Sequence, residues 1–217
     1  MHDQLEAGVR ELNLELPASA FEQLLNYQAE LQKWNAAYNL TAVRDPSQMV
    51  TRHLLDSLAL LPSLSRLPSP VSRLLDVGSG AGLPGIVLAI VRPGLNVTTL
   101  DSNGKKTRFM RHAARTLDLA NVEVVENRVE AYAPAVPFEC IVSRAFASLA
   151  DFFDKTAHLL APGGQWMAMK GKLDVQELAG IPAGIQIRET PRLQVPGLDE
   201  ERHVVVASSL TPHASRT

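Results

Sequence analysis

The chain has 217 residues, with 21 lysines and arginines against 23 aspartates and glutamates, a formal net charge of −2. At roughly 100–200 residues per domain it holds one domain with an elaboration, long enough to bury a core without staples, and its 46% hydrophobic and 20% charged residues exclude global disorder. The one cysteine, Cys140, excludes an intramolecular disulfide and a cysteine-rich zinc site, and the acidic total taken alone speaks against a nucleic-acid partner. The start, Met1 to Glu6, lacks a basic region followed by an apolar stretch, so no secretion signal is expected. The longest apolar run, Ile86 to Val91, falls far short of the ~20 residues of a spanning helix. A cytoplasmic protein without a membrane partner is the expectation.

Residues 1–70 read as helical. Phe21, Leu24, Leu25, Gln28, Leu31 and Trp34 recur at three- and four-residue steps, one face of an amphipathic helix with Pro17 at its first turn. Asp45 and Pro46 form an N-cap and first-turn pair for a second helix, with Met49, Val50, His53, Leu54, Ser57, Leu58 and Leu61 on its buried face. The proline- and serine-rich stretch Pro62 to Pro70 reads as a linker. From Val71 short strand-like runs alternate with helical ones. Strands are expected at Arg73–Val77, Asn96–Leu100, Val122–Val125, Cys140–Val142 and Gln165–Met169. Helices are expected at Leu83–Val91, Lys105–Leu117 and Leu149–Leu160. This alternation implies βαβ units and a mainly parallel sheet. Ile185–Ile187 and His203–Ala207 follow without a helix between them and predict an antiparallel pair at one sheet edge.

The first strand runs into Asp76-Val-Gly78-Ser-Gly80-Ala-Gly82-Leu83-Pro-Gly85, a glycine loop opening a helix, where an open α/β sheet keeps its ligand crevice. A dinucleotide fingerprint starting at Gly78 needs glycine at position 83, which is Leu83. The D-x-G-x-G-x-G form that is present resembles motif I of the class I S-adenosylmethionine-dependent methyltransferases. Asp101 ends the next strand, where an acid accepts hydrogen bonds from ribose hydroxyls in both cofactor classes or simply caps the following helix. Val129 and Glu130 follow the third strand. They offer an acceptor and a backbone N–H to an adenine, or are merely the first turn of a helix.

From Asn103 to Leu117 the cations Lys105, Lys106, Arg108, Arg111 and Arg115, with His112, stand without an intervening acid, whereas residues 1–40 hold six acids and two bases. Such a face is either a phosphate-backbone footprint or a solvated helix face. Arg144, Lys170 and Arg202 lie at the ends of later strands, where function collects in this fold but where ordinary solvation also places cations. Cys140 sits inside an apolar strand and reads as inert packing. No His, Asp and Glu cluster has metal-ligand spacing, so no metal is expected, and no residue stands out as a catalytic acid, base or nucleophile.

Taken together, Trp34-Asn35-x-x-Tyr38-Asn39-Leu40-Thr41, His53-Leu54-Leu55-Asp56-Ser57-Leu58, the loop Leu75–Gly85, Leu100–Lys106 and Ser143-Arg144-Ala145-Phe146-Ala147-Ser148-Leu149 resemble the bacterial ribosomal RNA small subunit methyltransferase G family from about Phe21 to Ala207. The resemblance implies a class I, Rossmann-like fold: a doubly wound, mainly parallel α/β sheet with an antiparallel C-terminal edge strand and a helical N-terminal extension. The expected divisions are a helical cap over 1–70, a cofactor-binding domain over 71–210 and a tail over 211–217. The implied activity is methylation of guanine N7 in 16S rRNA with S-adenosylmethionine as donor. The implied cofactor contacts are Gly78, Leu83, Val129–Glu130 and Arg144, to which the motif reading adds Asp76, Gly80, Gly82 and Asp101. The RNA, free or within the small subunit, is expected on Lys105, Lys106, Arg108, Arg111, Arg144, Lys170 and Arg202, with the protein a monomer. Guanine N7 carries a free lone pair and needs no general base, so proximity and in-line orientation suffice. The competing readings are a small-molecule methyltransferase, a non-catalytic RNA- or nucleotide-binding module on the same fold, and an NAD dehydrogenase, which Leu83 disfavours.

Overall fold

The computed structural model describes residues 1–144, 146 and 148–210. The 211–217 tail, and Ala145 and Ala147 of the motif around Arg144, lie outside the described residues. The chain opens with α1 (His2–Glu11) and α2 (Ala18–Tyr38), which ends where Asn39 takes φ of 51°. A third helical run follows in three windings: α3 (Pro46–Met49), a π-helical stretch (Val50–Leu55) and α4 (Asp56–Leu58). Asp45 caps it as expected, its Oδ1 accepting from the N–H of Ser47 at 2.8 Å and of Gln48 at 3.1 Å. Burial here exceeds the single face that the periodicity predicts. Thr51, Leu55 and Asp56 are buried too, because the run is packed by α1 and α2 on one side and by the sheet-end loops on the other. Half of the expected linker is also helical. In α5 (Leu61–Ser65) Pro62 occupies the first turn, where its missing N–H costs nothing, and Leu61 and Ser63 are buried.

The sheet begins with β1 (Arg73–Val77), α6 (Gly85–Val91), β2 (Asn96–Asp101), α7 (Gly104–Thr116) and β3 (Val122–Glu126). A 3₁₀ turn (Val129–Ala131) leads to β4 (Phe138–Ser143), α8 (Leu149–Thr156) and β5 (Leu160–Lys170). Then come α9 (Val175–Ala179), β6 (Ile185–Glu189) and β7 (His203–Ser209). β5 starts five residues before the expected Gln165, because Pro162-Gly163-Gly164 reads locally as a turn. The strand order is β3-β2-β1-β4-β5-β7-β6, parallel from β3 to β5, with β7 antiparallel to β5 and β6 antiparallel to β7. The expected antiparallel pair closes that edge, β6 outermost. The order reverses between β1 and β4, which opens the crevice at their carboxyl ends.

Alternation along β1 sends Leu74 to one face and Leu75 and Val77 to the other. On the first face Leu74, Ile86, Phe109 and Val204 share one core with Leu5, Leu24, Leu31, Leu54 and Leu58 of the N-terminal helices. On the second, Leu75 and Ile141 pack against Phe152, Phe153 and Trp166. Among the described residues no helix is long and apolar enough to cross a membrane.

Candidate cofactor cleft and basic face

The glycine loop is tied down on every side. Gly78 donates to Leu100 O at 2.8 Å, Gly80 N–H to Asp101 Oδ2 at 2.9 Å, and Gly85 N–H to Asp76 Oδ2 at 2.8 Å. Ser79 Oγ donates to Asp76 O at 2.7 Å and accepts from Leu100 N at 3.1 Å. Beneath it, Tyr27 reaches across from α2 and donates its hydroxyl to Ala81 O at 2.6 Å. At Gly82, φ is +92° and a Cβ would overlap the Ile86 side chain, so both backbone and space demand glycine.

In front of the loop lies a cleft of about 240 Å³ at the ends of β1, β2 and β3. Of the expected cofactor residues, Gly78, Asp101, Val129 and Glu130 line it. Leu100, Ser102, Asn127, Arg128, Phe146 and Lys155 line it as well; Asn127 and Arg128 lead into the Val129–Glu130 position, Leu100, Ser102 and Phe146 belong to the motifs, and Lys155 alone carries no sequence signal. Asp76, Gly80, Gly82, Leu83 and Arg144 stand elsewhere. Asp76 is fully buried behind the loop, where it holds the start of α6. Burial pushes its carboxyl up to about 7, and its Oδ1 has no hydrogen-bond partner. Leu83 is buried, its N–H donating to Ser79 O at 2.9 Å. The cleft suits an adenosine-bearing cofactor on its own chemistry. Asp101 and Glu130 put carboxylate acceptors on its wall beside the apolar Val77, Leu100, Val129 and Phe146.

The expected RNA-binding cations divide in two. Lys106 lies 3.9 Å from Asp101 Oδ2, Arg111 3.3 Å from Glu126, and Lys170 2.7 Å from Glu177. Arg144 and Arg202 both grip Asp56, a buried carboxylate of α4: Arg144 Nη1 is 3.2 Å from Oδ2 and Arg202 Nε 3.3 Å from Oδ1. Arg144 also donates to Arg52 O at 3.2 Å, and Arg202 and Arg52 share Glu200. Burial raises the Asp56 carboxyl's pKa, and the two guanidiniums oppose that. Asp56 was quoted within a motif without a role; an acid inside an apolar helical run was the available signal. Lys105 and Arg108, by contrast, form no ion pair among the described residues, nor do Arg115 and Arg128. Cys140 is buried and its thiol pushed up to about 12, so the thiolate is strongly disfavoured.

A seven-stranded, doubly wound sheet with a glycine loop after β1 and an acid at the end of β2 defines a class I S-adenosylmethionine-dependent methyltransferase. Solved structures agree on the fold. The N-methyltransferase NodS of Bradyrhizobium japonicum WM9, crystallised with S-adenosylhomocysteine, superposes with a TM-score of 0.56 at 16% identity, covering 85% of this chain and 98% of that one. The family described as rRNA small subunit methyltransferase G matches residues 20–205, and this chain belongs to it. It is 52% identical over 205 residues to the ribosomal RNA small subunit methyltransferase G of Methylobacillus flagellatus, covering 94% of this chain and 97% of that protein. It is 50% identical over 212 residues to the protein of the same name from Cellvibrio japonicus, covering 98% and 97%.

Proposed function

We propose that the chain, acting as a cytoplasmic monomer, methylates N7 of one guanine in 16S rRNA. The observation that carries this is the adjacency of two surfaces. Asp101 and Ser102 line the cofactor cleft, and α7 with its unpaired Lys105 and Arg108 follows at once from its Asn103 cap. S-adenosylmethionine supplies an electrophilic methyl group. Asp101 and Glu130 accept hydrogen bonds from the cofactor's hydroxyl and amino groups, and Val129 packs against its base. Around the cleft no nucleophile is needed for an N7 target. The guanine nitrogen brings its own lone pair, so the protein's part is to hold base and methyl group in line and exclude competing acceptors. Both Asp101 oxygens already accept backbone N–H groups, from Gly80 and Asn103, which fits an orienting acid rather than a proton acceptor. The small-molecule reading lacks a use for the cations of α7, and the non-catalytic reading is separated by turnover of S-adenosylmethionine to S-adenosylhomocysteine.

The test incubates purified protein with methyl-labelled S-adenosylmethionine and either deproteinised 16S rRNA or small subunits, followed by nucleoside mass spectrometry. N7-methylguanosine at a single position is the expected product. Label on another nucleoside, or S-adenosylhomocysteine formed only with small acceptors, would reject the assignment.

A further inference from the structure

A second concavity lies on the α2 side of the basic helix, outside the cofactor cleft. Its space of about 290 Å³ is lined by Trp34 of α2, by Arg108, Arg111, His112 and Arg115 of α7, and by Glu126 at the end of β3. Three features make it more than a solvated face. Arg108 and Arg115 form no ion pair among the described residues, and Arg111 meets a Glu126 carboxylate that already accepts from Thr107 Oγ1 at 2.7 Å. Glu30 of α2 is turned to His112, 2.5 Å away, which ties α2 to α7, and Glu126, the acid in the lining, meets Arg111 at 3.3 Å but lies outside ion-pair distance of Arg108 and Arg115. The same lining carries an aromatic ring, Trp34, whose centroid lies 4.9 Å from that of His112.

Planar guanidiniums and an aromatic ring in one lining match the chemistry of a nucleotide, bidentate donors for phosphate and a π surface for a base. The scale fits a polynucleotide. The ten steps from Lys105 to Arg115 cover ~15 Å of helix at ~1.5 Å each, long enough to meet more than one phosphate of a strand. The groove is also continuous with the reaction site, since the Asn103 cap of α7 follows Asp101 by two residues and Lys106 reaches back to that carboxylate.

We propose that this groove is an RNA-strand site. It takes an unpaired base against Trp34 and successive phosphates on Arg108, Arg111 and Arg115, and holds the strand that leaves the cofactor cleft. The proposal rests on the reading of RNA as substrate and adds a second anchoring point for it. Of the two tryptophans, Trp166 is fully buried, so quenching of emission by added RNA reports on Trp34. The experiment titrates the full chain with deproteinised 16S rRNA at several salt concentrations, alongside R108A/R115A and the charge-preserving R108K/R115K.

The expected result is quenching by RNA in the wild type. The double alanine variant loses about 25-fold in affinity at 0.1 M salt, with the slope of log K against log salt shallower by about 1.4, the share of two single-strand phosphates. The lysine variant recovers most of that slope. S-adenosylhomocysteine binding stays unchanged, which shows the fold and cleft intact. An unchanged salt slope, or no quenching on saturation with RNA, overturns the proposal. So does a double alanine variant that binds deproteinised RNA normally and fails only on assembled subunits, because the groove then receives an acidic protein segment. A wild type that binds RNA through this groove yet forms no N7-methylguanosine would support the groove and sink the methylation reading, so the two fail separately.

Discussion

A methyl group added at position 82 meets two obstacles at once: a left-handed backbone and the Ile86 side chain. Left-handed strain costs a residue with a Cβ roughly 1–2 kcal/mol, and forced overlap adds roughly 1–3. Gly82→Ala is therefore expected to destabilise the chain by about 2–5 kcal/mol, read as a lower urea midpoint; an unchanged midpoint would mean that the loop has room to relax. Tyr27→Phe acts on the same loop from below. It strips the Ala81 carbonyl of a buried partner and is expected to lower stability by about 1–3 kcal/mol. At Asp101 the consequence is functional. Asp101→Ala frees the Gly80 N–H and removes an acceptor from the cleft, and the Kd for S-adenosylhomocysteine is expected to rise about 10–100-fold, in keeping with a hydrogen bond to a charged group. Calorimetry showing an unaltered Kd would take Asp101 out of the cofactor site.

The third helical run does something its pattern does not announce. Its Asp56 holds the guanidiniums of Arg144, from the end of β4, and Arg202, from the start of β7, so one carboxylate joins the N-terminal helices to two strands on the same side of the crevice. Asp56→Ala leaves two part-buried cations facing each other without their counter-ion. The expected cost is about 2–4 kcal/mol, toward the lower end of the range for a broken buried pair because Arg144 and Arg202 keep 30% and 21% side-chain exposure. A thermal melt within a degree of wild type would show that Glu200 alone suffices for Arg202 and that solvent suffices for Arg144. Elements of this kind mark the boundary of what the residues reveal by themselves. Periodicity located β1, β2 and α7 nearly to the residue because each is one amphipathic or apolar run between turn signals. It missed the early half of β5, where Pro162-Gly163-Gly164 imitates a turn, and the burial around Thr51 and Asp56, which only tertiary packing on both sides creates. The glycine loop was legible because its chemistry is local. The pairing of Arg144, Lys170 and Arg202 with acids was not, since Asp56 lies 88 residues from Arg144 in the chain.

At the scale of the molecule two buried titratable groups pull against each other. Burial pushes the Asp76 carboxyl from 3.8 up to about 7, so the folded chain keeps a proton that the unfolded chain has lost, and this contribution to stability falls as pH rises from about 4 to 7. Burial first, and then Arg144, presses His53 from 6.5 down to about 4, so the fold keeps it neutral while the unfolded chain charges; this contribution rises from about pH 4 to 6.5. Over the shared window the two slopes oppose. Relative to wild type, Asp76→Asn is expected to gain stability as pH climbs from 4.5 to 6.5 and His53→Gln to lose it, each by up to about 1.4 kcal/mol per pH unit. Urea titrations at three pH values measure both, and difference curves flat with pH would reject the assignment. The net charge of −2 has the same character of cancellation. It sums acidic N-terminal helices and a basic α7, and only the folded arrangement shows which of the cations remain unpaired.

The position of β7 has a consequence for the order in which this molecule can be made. Among the described residues β7 is the last strand in chain order, yet it is an interior strand, hydrogen-bonded to β5 on one side and β6 on the other. Until His203–Ser209 has left the ribosome, β6 has no sheet to join and β5 presents a long bare edge carrying Trp166 and Met167, a template for pairing with another chain. Val204 and Val206 then enter the core that also contains Leu5. The nascent polypeptide therefore carries an open β5 edge through the synthesis of some thirty residues, until β7 arrives to cover it.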